Sequence, residues 1–275
     1  MKLLACFKVV PDMEAINSTD WEVTDSLSVD LSYVRLVWNC FDESSLEMLL
    51  KLSDLSEGFP ALVNLWALTV GQKNADSYLK TLYALGYERA VRVEEDRDLR
   101  FCPEWMAEVI SAFVKKENTV DGIVMGSVSS DGNNGMTPYL TAEKLGWPCI
   151  SQVIGMEPVD DTHVKVVSQQ DHGNVTQVVK LPCVFAVGNA PCSYLRVPTL
   201  KDRMKKGKKP IEYLDISQLG LKKEISGEGF VLTGLEPVRQ ERDGVIIEGE
   251  TAAEKARILY QDYLRERLDA LCESR

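Results

Sequence analysis

The chain is 275 residues long and carries 31 lysines and arginines against 42 aspartates and glutamates, a formal charge of −11. So acidic a surface repels phosphate backbones and anionic lipid, which argues against nucleic acid or membrane insertion as the first expectation for a partner. Apolar residues at 45% and charged residues at 27% are ordinary for a globular chain, and the length predicts one large domain or one domain with an appendage, at roughly 150 residues per domain.

The mostly apolar run over residues 59–70 is interrupted by Pro60 and Asn64 and is too short for a membrane span, which needs about 20 residues. Lys8 falls where a signal peptide would still need apolar residues, and no small-residue cleavage site follows, so a cytoplasmic protein is expected. The seven cysteines (Cys6, Cys40, Cys102, Cys149, Cys183, Cys192 and Cys272) are widely spaced and form no CxxC. A disulfide framework, a zinc ribbon and a redox dithiol are all unsupported, and buried or half-buried thiols are expected.

In chain order, residues 3–7 are a short apolar run followed by the turn signal Pro11-Asp12. Leu46, Leu49 and Leu50 give a helical stripe. Residues 61–70 predict a buried strand ending at Gly71. Polar residues 72–76 then open a helix carrying Tyr78, Leu79, Leu82 and Leu85, stopped by a C′ glycine, Gly86. Residues 90–93 predict a brief strand. Met106, Val109, Ile110, Phe113 and Val114 repeat at helical spacing behind Pro103. Residues 120–125 predict the next strand, ending at Gly126, and residues 141–145 a helix closed by Trp147-Pro148.

This alternation predicts an α/β fold: a doubly wound, mostly parallel sheet with helices on both faces and ligands beyond the carboxyl ends of its strands. After Cys149 the pattern changes. Residues 163–167 and 174–179 predict an antiparallel hairpin turning near Asp171, His172 and Gly173, and residues 184–187 another strand. Residues 224–237, with Gly227, Gly229 and Gly234, read as an extended linker, and residues 244–248 as a short strand. Thr251-Ala252-Ala253-Glu254 is a capping box opening a helix toward Leu271, with Ala256, Leu259, Tyr260, Tyr263, Leu264 and Leu268 on neighbouring faces.

Little in the chain speaks for bond-making chemistry. The two histidines, His163 and His172, both fall by the hairpin turn, where solvated side chains are expected rather than a triad or metal site. No GxxxxGK[ST] occurs, and no GxGxxG follows a strand. Six basic residues over 201–209 read as a solvated helix or docking face in so acidic a chain. The best local signal is Gly126-Ser127-Val128-Ser129-Ser130-Asp131-Gly132-Asn133-Asn134-Gly135-Met136-Thr137, between a strand and a helix. Its glycines permit close backbone approach, Thr137 can cap the helix, and Pro138 suits the first turn. Such a loop offers N–H groups to an anion. A plain βα connection with a capped helix would look the same, and spacing alone does not choose.

Several stretches together carry a family likeness. They are LLACFKVVPD over residues 3–12, Trp38-Asn39-Cys40-Phe41-Asp42-Glu43, residues 68–71 with the later Leu82-Tyr83-Ala84-Leu85-Gly86, residues 126–148, Leu181-Pro182-Cys183-Val184, and residues 242–250 before a helix. In this order and spacing they resemble the beta (small) subunit of electron transfer flavoproteins. The resemblance implies an electron carrier subunit rather than a bond-making enzyme. It would pair with an alpha subunit that holds most of the FAD, pass electrons from a flavin-dependent dehydrogenase to an acceptor, and keep AMP or a second FAD in its own site.

The resemblance also implies nucleotide contacts at Cys6 and Val70 through backbone, at Asn39, and along Gly126 to Thr137, where Asp131 matches the family's loop Asp; no metal is implied. Core packing is the alternative for Cys6 and Val70, and helix capping for Asn39. Two departures stand out. Where the family has Gln, then x-Gly, before the helix, this chain has Met136-Thr137-Pro138, losing an amide side chain and one N–H donor. Where the family's docking loop ends in Pro-Arg, residues 188–198 read GNAPCSYLRVP. Docking contacts with an uncommon dehydrogenase are expected at Pro191, Cys192, Ser193, Tyr194 and Leu195.

The expected division is a nucleotide-binding domain over residues 1–220 and a C-terminal arm and helix over residues 221–275. An amphipathic helix on a glycine-rich linker needs something to cover its stripe, and the alpha subunit is the expected cover. A standalone adenine-nucleotide-binding sensor or regulatory module is the alternative reading. A nucleotide-using enzyme is disfavoured, since no acid–base cluster or nucleophile is apparent.

Overall fold

A computed structural model describes residues 1–17, 21–57, 63–222, 232–236 and 244–273. The chain divides into two compact units, Met1–Gly234 and Leu235–Arg275. In the first, the strands are β1 (Lys2–Cys6), β2 (Val9–Pro11), β3 (Leu36–Trp38), β4 (Asn64–Gly71), β5 (Arg89–Glu94), β6 (Gly122–Gly126), β7 (Cys149–Pro158), β8 (His163–Gln170), β9 (Gly173–Lys180), β10 (Cys183–Val187) and β11 (Glu212–Asp215). The helices between them are α1 (Cys40–Ser56), α2 (Asp76–Leu85), α3 (Pro103–Glu117), α4 (Thr137–Leu145) and α5 (Leu200–Lys205).

Among the described residues, nine strands form one sheet in the order β11-β5-β4-β1-β6-β10-β7-β8-β9, and β2 pairs with β3 in a small antiparallel ribbon. From β11 to β7 neighbours run parallel; β8 and β9 add an antiparallel meander. A parallel sheet covered on both faces needs strands apolar at every position. In β1, Leu3 and Ala5 join one buried layer with Leu46 and Leu49 of α1 and Leu79 and Leu82 of α2. Leu4 and Cys6 join the opposite layer with Val109, Ile110 and Phe113 of α3 and Ala142 of α4. The doubly wound expectation holds. At the end of α2, Gly86 has φ +113, a left-handed conformation in which its N–H reaches the carbonyls of Leu82 and Tyr83.

From β1 the chain winds outward through β4 and β5, then crosses back to β6 and β10 on the other side of β1. That reversal leaves a crevice beyond the carboxyl ends of β1 and β6, where open α/β sheets hold ligands.

Some elements differ from the sequence reading. β7 is irregular: Gln152 has φ +50, and the register shifts at Val153/Gly155 against β8 and at Phe185/Val187 against β10. A bulge breaks the period of two by which a strand is read. The β8–β9 hairpin forms as expected and turns at Asp171-His172; His172 is exposed, and Nδ1 of His163 lies 2.9 Å from the Asp160 carboxylate. Residues 61–62 of the strand expected over 61–70 lie outside the described residues, as does most of the linker expected over 224–237.

The strand expected over 244–248 does not form: those residues join no described sheet, and Val245 and Ile246 are exposed. An apolar β-branched run becomes a strand only where a neighbour offers it a ladder. The Thr251 hydroxyl accepts the Glu254 N–H as a cap, while the Glu254 carboxylate reaches back to Glu250 N–H. The helix behind it runs as α6 (Ala252–Ile258), a π-helical segment (Leu259–Leu264) and α7 (Arg265–Glu273), and Leu259, Tyr260, Tyr263, Leu264 and Leu268 are all exposed. Among the described residues, no helix is long and apolar enough to cross a membrane.

Candidate functional site

The crevice opens into a cavity of about 400 Å³. Its walls are the ends of β1, β4 and β6, the start of α1, the β6–α4 loop and the β5–α3 connection. Of the residues singled out in sequence, Cys6, Asn39, Val70, Gly126, Ser127, Val128, Ser129, Asp131, Gly132, Asn134, Gly135 and Thr137 line it, whereas Ser130, Asn133 and Met136 do not.

Asp42, in the first turn of α1, is the organising group. Its carboxylate is buried and accepts three N–H bonds, from Lys8 N at 2.9 Å, Asn39 Nδ2 at 3.0 Å and Gly126 N at 2.7 Å. The tips of β1, α1 and β6 are thereby tied to one side chain. Burial pushes the Asp42 carboxyl up to about 6, although the three donors and the nearby Lys8 charge pull the other way. A Cβ on residue 126 would sit 2.7 Å from Asp42 Oδ1 and 2.8 Å from Phe41 Cβ, so only glycine fits there.

Asn39 stands at the N-cap position of α1, but its side chain caps nothing. It bridges to the glycine-rich loop instead: Nδ2 also donates to the Val128 carbonyl at 2.9 Å, and Oδ1 accepts the Ser130 N–H at 3.1 Å. The loop is further shaped by Asn133, at φ +48, whose N–H meets the Ser129 carbonyl, and by Asn134 Oδ1, which accepts the Met136 N–H. Across the mouth, Lys8 Nζ lies 2.6 Å from Asp131 Oδ2. Thr137 does not cap α4, contrary to expectation. Met136 holds the cap position in helical geometry without a side-chain bond, and Thr137 is already inside the helix. Cys6 is buried with its thiol pushed well up by desolvation, which makes it wall rather than nucleophile.

Sequence reasoning missed one wall, the β5–α3 connection. Glu95 is buried, and its carboxylate is held down to about 2 by hydrogen bonds from Arg97, aided by Trp105 Nε1 at 3.1 Å. Arg97 also lies over the Trp105 ring, and Arg100 pairs with Asp98. The available signal was the alternation of acids and bases over residues 95–100, between a strand and a Pro-opened helix at the ligand-binding edge. In the sequence Asp42 reads only as an acidic helix start, because its three donors come from residues 8, 39 and 126.

In the segment expected to dock a partner, Cys192 and Leu195 pack toward the core, while Pro191, Ser193 and Tyr194 are exposed. The segment is anchored to α1: Leu195 N–H donates to Glu43, Arg196 N–H to Glu47, and the Arg196 guanidinium pairs with Glu47 at 2.8 Å and Asp54 at 2.7 Å. Exposed Tyr194, Val197, Leu200 and Met204 follow one another here.

An open parallel sheet with a crevice at its point of reversal, walled by a glycine-rich loop and a helix start, defines the class of α/β ligand-binding domains. The family model described as "Electron transfer flavoprotein domain" matches residues 32–219. The chain is 35% identical over 272 residues to the "Putative electron transfer flavoprotein subunit YgcR" of Escherichia coli (strain K12), covering 98% of this chain and 99% of that one. It is 27% identical to an electron transfer flavoprotein subunit beta of Bacillus subtilis (strain 168), over 68% of this chain and 70% of that one. It is 25% identical to that of Methylophilus methylotrophus, over 94% and 97%. The chain belongs to the electron transfer flavoprotein family, as a divergent relative of its beta subunits. An electron transfer role involving flavin is the property that membership carries.

Proposed function

We propose that this chain is the beta subunit of a heterodimeric electron transfer flavoprotein. It would take electrons from a flavin-dependent dehydrogenase and pass them to an acceptor through FAD held mainly by an alpha subunit. Its own cleft would hold an adenylate, as AMP or as part of a second FAD. One observation carries the adenylate reading: the fold gathers twelve of the fifteen sequence-chosen contacts onto a single cavity of about 400 Å³, in the range of small-molecule sites. The cavity suits a nucleotide in its chemistry, with apolar Leu68 and Met125 beside the hydroxyls of Ser127 and Ser129 and the amide of Asn134. Bound flavin supplies the redox chemistry. The residues of this chain bind, position and shield; Asp42 and Asn39 fix the loop that would meet the nucleotide.

Two surfaces fit the proposed partners. The exposed Tyr194, next to a segment pinned by Arg196, suits dehydrogenase docking. The exposed stripe from Leu259 to Leu268, on the C-terminal arm, suits the alpha subunit. Coexpression with an alpha-like chain tests the reading, followed by an absorption spectrum and mass spectrometry of the released nucleotide. A yellow 1:1 complex is the expected result. A colourless homo-oligomer carrying AMP would replace the proposal with a standalone adenylate sensor.

A further inference from the structure

The cleft is poorly charged for an anionic ligand. Among the described residues, three cationic side chains line it, Lys8, Arg97 and Arg100, against four carboxylates, Asp42, Glu95, Asp98 and Asp131. Arg97 is held by Glu95 and Arg100 by Asp98, each pair closed within one loop. Lys8 differs, because its partner Asp131 is 123 residues away, on the glycine-rich loop across the crevice. The Lys8 side chain is 49% exposed and that of Asp131 27%. A pair so wetted contributes little net stability and is readily exchanged. The Lys8 backbone, by contrast, is fixed at both ends: its N–H donates to Asp42, and its carbonyl accepts the Asn39 N–H. A flexible four-carbon stem therefore carries the ammonium from an anchored Cα at the mouth of the cavity.

We propose that Lys8 is a phosphate ligand of this cleft and that Asp131 is the resident anion a phosphate displaces; this rests on the adenylate reading given above. On binding, the ammonium passes from carboxylate to phosphate, and Asp131 turns to solvent. One cation released in this way serves one phosphate group. A second or third would meet the Asp42 carboxylate and two cations already paired with Glu95 and Asp98, so a nucleoside monophosphate is preferred over the di- and triphosphate.

Calorimetric titration of the nucleotide-stripped full chain with AMP, ADP, ATP and adenosine tests this. Lys8→Met should weaken AMP binding about tenfold or more and leave adenosine unchanged, Lys8→Arg should restore most of the affinity, and Asp131→Asn should tighten AMP. Wild type should bind AMP more tightly than ADP or ATP. Four results would overturn the exchange alone: AMP binding unaffected by Lys8→Met, equal losses for AMP and adenosine, no tightening in Asp131→Asn, or ATP binding as tightly as AMP. A wild-type chain that binds neither AMP nor adenosine overturns the adenylate reading, and the exchange falls with it.

Discussion

Asp42 Oδ1 accepts the Gly126 N–H at 2.7 Å, and the same oxygen would lie 2.7 Å from any Cβ placed on residue 126. The carboxylate and the missing side chain share one space. A hydrogen bond between the start of a helix and the end of a strand is thus possible only because the strand ends in glycine.

Gly126→Ala should therefore cost more than a surface glycine replacement. The atoms it meets include Asp42 N and Phe41 Cβ, which cannot swing aside as the end of a long side chain can. A loss of about 2 kcal/mol is expected from overpacking and the strained hydrogen bond, read as a lower urea midpoint with unchanged slope. Adenylate affinity should fall as well, because Ser127 and Val128 follow directly.

Asp42 and Glu95 give stability opposite pH dependences. Burial raises the Asp42 carboxyl from 3.8 to about 6, so its contribution is fully present below pH 4 and is lost as pH rises through 6. Arg97 lowers Glu95 from 4.5 to about 2, so that contribution is present above pH 4.5 and is lost as pH falls through 2. From pH 4 to pH 7, Asp42 should account for a decline of roughly 2 kcal/mol. Asp42→Asn should flatten that slope, and Glu95→Gln should flatten the one below pH 4.5, in urea titrations over the range. An unaltered slope in Asp42→Asn would refute the assignment.

Arg196→Ala should free residues 192–197 while the sheet stays folded. It removes the guanidinium from Glu47, whose side chain is only 7% exposed, and leaves that carboxylate short of its cation. A loss of about 2 kcal/mol is expected, together with faster amide exchange at Leu195 and Arg196, whose N–H groups bond Glu43 and Glu47. Weaker dehydrogenase binding should accompany it.

Truncation after Gly220 should leave the nine-stranded sheet intact, since its last strand ends at Asp215. Capture of the alpha subunit in a pull-down should be lost. Undiminished capture would remove the arm from the proposed interface.

How much was legible follows from where each signal lies. β1, β4 and β6 are buried on both faces, so their sequences are mostly apolar runs, and the helix stop at Gly86 is written in one residue. The loop from 126 to 137 announced itself by its glycines. Asp42 did not, because a carboxylate in a first helical turn is ordinary until residues 8, 39 and 126 converge on it. Thr137 read as a cap because of its type, but Met136 already has helical dihedrals, so no extended residue precedes the helix for a cap to occupy. β7 escaped because a residue at positive φ interrupts its alternation.

Helix α1 serves both ends of this picture. Asn39 and Asp42 at its start hold the glycine-rich loop, while Glu43, Glu47 and Asp54, from the next residue onward, hold the segment around Arg196. One helix is the shared mount for both. Were a ligand in the proposed cleft to tilt that first turn, the segment held by Glu43 and Glu47 would feel it, and by thermodynamic reciprocity a docked protein would then alter the ligand's affinity by the same factor.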